Sequence, residues 1–232
     1  MSIFTPVIFL FLAMLIQDFL QLTPALFSIF YHFALAKTSK NKADDLAISF
    51  ILGAETFTAI LVLVIFHLTS LLYFNFSDFS TRILPFILAG LFTFLAIFVL
   101  FIYFRSSSST TLFLPRPLSR GLLTRAKLAK TRGDAFLLGF FAGIGELFLT
   151  LPLFFILALA TINLTAFPAA PPLIAYVVIS TIPLFIIRHF YRTGHNLAEI
   201  TRRRIKFKPL FRLILFISFF LLATLNLIEG IY

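Results

Sequence analysis

Six long apolar segments take up most of this chain of 232 residues. An α-helix needs about 20 apolar residues to cross the hydrocarbon core of a bilayer, and each segment reaches that length. Only 12% of the residues are charged, whereas soluble domains average about 25%. We therefore predict an all-α polytopic membrane protein with six transmembrane helices. The six segments run over 3–35, 46–74, 83–104, 135–162, 172–191 and 209–229.

The basic residues fall in alternate connections between these segments. The connections 36–45, 105–134 and 192–208 hold three, seven and six lysines and arginines, whereas 75–82 and 163–172 hold one between them. Cytoplasmic loops of membrane proteins carry this excess of positive charge. We therefore expect the three basic loops in the cytoplasm, both termini outside, and the protein in the cytoplasmic (inner) membrane. The net charge of +10 then favours contact with anionic lipid rather than with nucleic acid.

The longest basic connection divides the chain into two halves of three segments each. We expect a single transmembrane domain over 1–232, with a first repeat at 1–104, a basic cytoplasmic linker at 105–134 and a second repeat at 135–232. Because three crossings is an odd number, related halves must insert in opposite senses. Inverted repeats of this kind recur in secondary transporters.

Two short stretches, one in each half, share their rare residues. QDFLQLTP, which starts at position 17, lies over GELFLTLP, which starts at position 145, when the chain is shifted by 128 residues (145 − 17). Asp18 then meets Glu146, and Pro24 meets Pro152. This agreement at the same place in each half predicts an inverted repeat. It also predicts that the first and fourth helices are kinked or broken at proline, because proline removes a helical hydrogen bond.

Acidic residues inside apolar segments are the main candidates for chemistry. An acid at a helix centre costs roughly 2.5–3.5 kcal/mol on insertion scales, yet Asp18 and Glu146 lie in mid-segment, and Glu55 is a third candidate. We expect Asp18 and Glu146 to face each other near the midplane and to hold a proton or exchange it for a cation. The alternative is a purely structural role, although interhelical hydrogen bonds in membranes contribute only about 0.6 kcal/mol on average.

The two prolines suggest how such a site would be completed. Each breaks the helical hydrogen-bond ladder and frees a backbone carbonyl. Carbonyl, amide and hydroxyl oxygens are ligands of hard cations, so a metal cation held by Asp18 and Glu146 is the expected occupant. The predicted oxygen-bearing neighbours in the same stretches are Gln17, Gln21, Thr23 and Thr150.

Other side chains are expected to have structural roles. The chain has no tryptophan, so its tyrosines, Tyr176 among them, are expected to form the aromatic belt at the membrane–water interface. Asp44 and Asp45 lie at a segment end and are expected to be solvated. The 34 phenylalanines are expected to face lipid or pack between helices.

Several classes of function are excluded by what the sequence lacks. There is no cysteine, so disulfides and thiolate chemistry are ruled out. No phosphate-binding glycine loop, HExxH, GxSxG or CxxC motif occurs, and we therefore expect neither an enzyme nor a cofactor.

The layout and the stretches QDFLQLTP and GELFLTLP resemble the lysine-exporter (LysE) superfamily of membrane transporters. The resemblance implies six spans in two inverted halves. The metal-cation exporters of that grouping, with an acid in each half, are nearest. Its thiol–disulfide carriers need cysteines that this chain lacks, and its amino-acid exporters carry a proline–glycine break where LTPALF has only the proline.

These observations predict a secondary transporter of a small solute or cation, coupled to a proton or cation and working by alternating access. One alternative is a substrate-binding membrane subunit of a multi-component importer, whose basic loops would bind cytosolic partners. Another is a membrane assembly factor that transports nothing. A homodimer is compatible with each of these three functions.

Overall fold

The computed structural model describes nine stretches of the chain, and they are almost entirely helical. No strand occurs in any of them, which confirms the predicted all-α fold. The stretches are 4–21, 40–76, 82–103, 121–122, 124–126, 128–144, 147–164, 168–192 and 197–231.

The helices are numbered here in chain order. In the first half, helix α3 (Leu84–Phe98) continues into a π-helical turn at Val99–Tyr103. The helices of the first half are α1 (Phe4–Gln21), α2 (Lys40–Asn75) and α3 (Leu84–Phe98). Those of the second half are α4 (Arg132–Ile144), α5 (Leu147–Asn163), α6 (Ala170–Arg192) and α7 (Leu197–Ile231).

Four stretches of helix are long and apolar enough to cross a membrane: Asn41–Asn75, Leu84–Phe101, Ala170–His189 and Pro209–Ile231. Helices α4 and α5 add a fifth crossing if they are counted as one bent span. Helix α1 is apolar over Thr5–Leu20 but is shorter. The described residues thus contain four or five spans rather than the predicted six, because the rest of the predicted first segment lies outside them.

The outer faces of these helices are apolar, which indicates a membrane protein. No more than 39% of any of the four spans is buried against the rest of the chain. Large hydrophobic side chains point outward along them, such as Leu63 and Val64 on α2 and Phe94 on α3. Soluble monomers rarely expose continuous apolar surface of this extent.

Helix α1 lies among helices of the second half. It packs against α5, α6 and α7, while α2 packs against α4, α5 and α6, and α3 packs against α7. The main hydrophobic core includes Ile16 of α1, Phe92 of α3, Leu153 of α5 and Phe219 of α7, all fully buried. A second core, at the end where α2 and α4 begin, includes Ala126 of the linker.

Helices α2 and α4 run parallel and cross at two glycines. Gly53 faces the backbone carbonyl of Phe136, and Gly139 faces the carbonyl of Phe50. A Cβ atom on either glycine would overlap that carbonyl, so the two backbones approach as closely as small residues permit in membrane helices. This crossing fixes the part of α2 that carries Glu55.

The segment predicted to break at Pro152 is bent, but the proline lies within a helix. Helices α4 and α5 meet at 78°, and Pro152 is buried inside α5, after the bend. A proline ring disturbs the helical turn that precedes it. The bend lies before that turn, so it does not coincide with the position that Pro152 disturbs. Pro24 lies outside the described residues.

Candidate functional site

A group of buried and half-buried polar side chains lies on α1, on α2 and on α6, the helix that packs against both of them, and we call it the polar cluster. On α1, Gln17 is only 2% exposed, and Asp18 beside it is half-buried. The cluster consists of Gln17, Asp18, Glu55 of α2, and Tyr176 and Thr181 of α6.

Tyr176 is at the centre of this cluster. Its side chain is fully buried, and its hydroxyl donates a hydrogen bond to Oε1 of Gln17 at 3.3 Å. Its ring makes an edge-to-face contact with Phe154 of α5, with 5.9 Å between ring centroids. The ring is therefore held by packing, and the hydroxyl is held by an amide from the other half of the chain.

The carboxyls of Asp18 and Glu55 both lie within electrostatic reach of the Tyr176 hydroxyl. Oδ1 of Asp18 is buried and accepts no hydrogen bond from the described residues. The same is true of Oε1 of Glu55. Two acids from different helices thus act electrostatically on one phenol, and each keeps one buried oxygen that the described part of the chain does not satisfy.

The Glu55 carboxyl has a second polar neighbour on α6. The Thr181 hydroxyl lies within hydrogen-bonding reach of it. That hydroxyl also approaches the carbonyl of Val178 at 2.6 Å, one turn earlier. Because a threonine hydroxyl has one proton, it can donate to Glu55 only by giving up its bond to the helix backbone.

The structure brings some predicted site residues together and does not describe others. Gln17, Asp18 and Glu55 join the polar cluster, whereas Thr150 is buried on α5, a helix that packs against α1. Thr23, Pro24, Glu146 and the side chain of Gln21 lie outside the described residues. The pairing of Asp18 with Glu146 therefore stays a prediction.

The described ranges contain no group of three or more histidine, aspartate or glutamate side chains arranged to hold a metal ion. Within them, the polar cluster offers two carboxyls, one amide, one phenol and one alcohol. The predicted metal ligation by Asp18 and Glu146 depends on a residue outside these ranges and stays a prediction.

The prediction for Tyr176 was wrong, because a belt residue is exposed to the lipid head groups, whereas the Tyr176 side chain is fully buried inside the protein. A signal in the sequence could have revealed this. Tyr176, Ser180 and Thr181 follow the spacing i, i+4 and i+5, which places them on one side of a helix. All three are buried, so the polar side of α6 faces the protein interior.

Asp44 was likewise expected to be solvated, yet it is part of an ion pair between the two halves. Nε and Nη2 of Arg188 lie 2.7 Å from Oδ1 and Oδ2 of Asp44. Each side chain is only 19% exposed. This bidentate ion pair joins α2 to α6, the helices that carry Glu55 and Thr181. It lies at the end of α2 that holds the charged residues of that helix.

Asp45, the next residue, is paired in a more exposed position. Its Oδ2 atom lies 2.7 Å from Nη2 of Arg132, with the side chains 47% and 74% exposed respectively. Exposed pairs of this kind contribute about 0–1 kcal/mol. The Asp44–Arg188 pair is therefore the stronger connection between the helices at this end.

The polar cluster can hold a proton or a small cation. Removal of a carboxylate from water is costly where the dielectric constant is low, so a proton or cation that neutralises Asp18 or Glu55 is stabilised. The amide and hydroxyl oxygens of Gln17, Tyr176 and Thr181 supply further contacts.

Comparison of the chain with protein-family models, curated proteins and solved structures finds no match.

Proposed function

We propose that the protein is a secondary membrane transporter, coupled to protons or another cation, with the polar cluster as its ion site. One observation carries the proposal: Asp18 and Glu55, on two different helices, act electrostatically on the buried Tyr176 hydroxyl, and each has a buried oxygen without a hydrogen-bond partner among the described residues. An ion or proton bound there would supply the missing interactions.

The energetics favour this role over a purely structural one. Acids that only stabilise a helix bundle should have their oxygens satisfied by neighbouring donors, because an unsatisfied buried polar group costs about 1–3 kcal/mol. The insertion cost of a mid-helix acid adds to this. Acids inside a membrane that keep this unfavourable free energy of burial are typical of proton relays and ion pathways.

Six spans in two inverted halves form part of the proposal, and the helix packing supports it. A two-fold axis in the membrane plane would exchange α1 with α4–α5, α2 with α6, and α3 with α7. Each of these pairs is in contact: α1 with α5, α2 with α6, and α3 with α7. The same axis would exchange the α2–α5 contact with the α1–α6 contact, and both occur.

Alternating access follows from this arrangement. The Asp44–Arg188 pair connects α2 of the first half to α6 of the second, and the polar cluster lies between the same two helices. Rocking one half against the other would separate the pair and open the cluster to the side on which the basic loops lie. The proposal assigns that side to the cytoplasm.

The resemblance to the lysine-exporter superfamily, nearest its metal-cation exporters, belongs to the same proposal. It rests on the stretches QDFLQLTP and GELFLTLP. In that assignment Glu146 would be a further carboxyl of the ion site.

The full chain in proteoliposomes tests the proposal. We expect vesicles that contain a pH-sensitive dye to change internal pH when a gradient of one particular cation is imposed, and protein-free vesicles not to. The panel should include Na⁺, K⁺, Mg²⁺, Ca²⁺ and Mn²⁺. The absence of any protein-dependent flux of protons or of these cations would contradict the proposal and favour a membrane subunit that needs partner proteins.

A further inference from the structure

A cavity of about 300 Å³ lies between the linker and the start of α4, apart from the polar cluster. Leu122 and Leu128 of the linker line it, together with Leu137 and Phe141 of α4. Leu128 and Leu137 are 67% and 53% exposed, so the cavity is open on its outer side. An apolar opening of this kind needs an apolar occupant.

The position of the cavity on α4 corresponds to the boundary between lipid head groups and hydrocarbon. The helix begins with Arg132 and Asp134 and has no charged residue from Ala135 to Ile144. Leu137 and Phe141 lie one turn apart on its outer face and are both exposed. An acyl chain can therefore enter from the bilayer along α4.

Among the described residues that line the cavity, Arg125 is the cation available to a ligand. The Asp134 carboxylate accepts hydrogen bonds from the backbone N–H groups of Lys130 and Thr131, at 3.2 and 3.1 Å. The Thr131 hydroxyl accepts one from the backbone N–H of Asp134, and this reciprocal pair forms a capping box at the start of α4. Arg132 is paired with Asp45. Arg125 also lines the cavity and makes no ion pair with any residue in the described ranges.

We propose that this cavity is a binding site for one anionic phospholipid. Its acyl chain would lie against Leu137 and Phe141, and its phosphate would accept hydrogen bonds from Arg125. Guanidinium groups recognise phosphate through charge-assisted, two-pronged hydrogen bonds, and basic pockets at the cytoplasmic face of membrane proteins bind anionic head groups. This site is independent of the proposed transport function.

Native mass spectrometry of the full chain tests the proposal directly. The delipidated protein is titrated with phosphatidylglycerol, with phosphatidylcholine of the same acyl chains, and with glycerol 3-phosphate. We expect one saturable phosphatidylglycerol molecule, held more tightly than phosphatidylcholine, and no competition from glycerol 3-phosphate. Equal binding of the two lipids, or full competition by glycerol 3-phosphate, would overturn the proposal.

Two variants assign the binding to this cavity. Arg125→Ala should weaken phosphatidylglycerol binding by at least roughly tenfold, because it removes the charge-assisted hydrogen bonds to the phosphate. Arg82→Ala, which removes the same charge from an exposed position preceding α3, should leave binding unchanged. Ala129→Phe, which adds a ring at a buried position lining the cavity, should reduce binding of both lipids. Equal effects of the two arginine variants would contradict the assignment.

Discussion

At the residue scale, Tyr176 has the most specific role in the polar cluster. Its hydroxyl donates a hydrogen bond to Gln17 and is influenced electrostatically by both carboxyls. Removal of that hydroxyl would leave Oε1 of Gln17 without this donor and would change the surroundings of Asp18 and Glu55. The phenol thus connects two helices through polar contacts rather than through packing alone.

Tyr176→Phe is expected to reduce ion-coupled transport while preserving the packing of the ring. The loss of one hydrogen bond should lower stability by only about 0.5–1.5 kcal/mol. Tyr73→Phe is the matched control, because the Tyr73 hydroxyl also donates to an amide oxygen, that of Asn163 at 3.2 Å, outside the cluster. Flux and thermal unfolding of both variants check this. Equal losses of flux would show that the position of Tyr176 has no special role.

The residues of the site could be predicted from the sequence to different degrees. Asp18 and Glu55 were identifiable because acids in apolar segments are expensive and therefore rare. Tyr176 was not, since tyrosine is common at membrane interfaces and its burial depends on which helix packs beside it. The Asp44–Arg188 pair joins residues 144 positions apart, and neither residue's neighbours in the sequence indicate the pairing.

At the scale of single helices, the glycine crossing of α2 and α4 determines where Glu55 is held. Gly139 and Gly53 face backbone atoms, which cannot move aside as the end of a flexible side chain can. A methyl group at either position must push the two helices apart. The displacement would move the turn of α2 that carries Glu55.

Gly139→Ala should therefore destabilise the protein by about 1–3 kcal/mol, the usual cost of overpacking. Gly90→Ala on α3 is the control, because a Cβ atom there meets nothing within 4 Å. That substitution should be neutral or should stabilise the helix by roughly 0.5–1 kcal/mol. Thermal unfolding in detergent measures both variants. A Gly139→Ala protein as stable as the Gly90→Ala protein would contradict the close crossing.

Helix boundaries show the limit of prediction for whole elements. The apolar segments predicted helices that the structure contains, but α4 begins at Arg132 rather than at the predicted position 135. The bend of 78° between α4 and α5 was expected at Pro152, which is within α5 instead. Proline shows where a helical hydrogen bond is missing, but tertiary packing decides where the chain bends.

At the scale of the whole molecule, the proposed alternating access requires the two halves to separate at the Asp44–Arg188 pair. The natural chain has no cysteine, so a double variant with Asp44→Cys and Arg188→Cys can be cross-linked without side reactions. A short bifunctional thiol reagent should abolish transport by holding α2 against α6. The uncross-linked double variant and both single-cysteine variants should remain active. Undiminished flux after complete cross-linking would refute opening at this point.

The architecture of the whole molecule was predictable mainly from composition. Low charge and long apolar segments indicated an all-α membrane protein, and the outward-facing apolar side chains of the structure agree with it. The predicted count of six spans depends on the first segment, of which the structure describes only residues 4–21. The packing of α1 among second-half helices had no signal in the sequence beyond the matched stretches.

The central claim is that the carboxyls of the polar cluster carry the transported or coupling ion. Its most direct test is the ion flux of Asp18→Asn and Glu55→Gln proteins in proteoliposomes, compared with Glu229→Gln. Glu229, near the end of α7, also has a buried oxygen without a partner in the described ranges but lies outside the cluster. We predict that both cluster variants lose flux by roughly tenfold to a hundredfold, as expected for loss of a charged contact, while Glu229→Gln retains it. Full flux in both cluster variants would contradict the account.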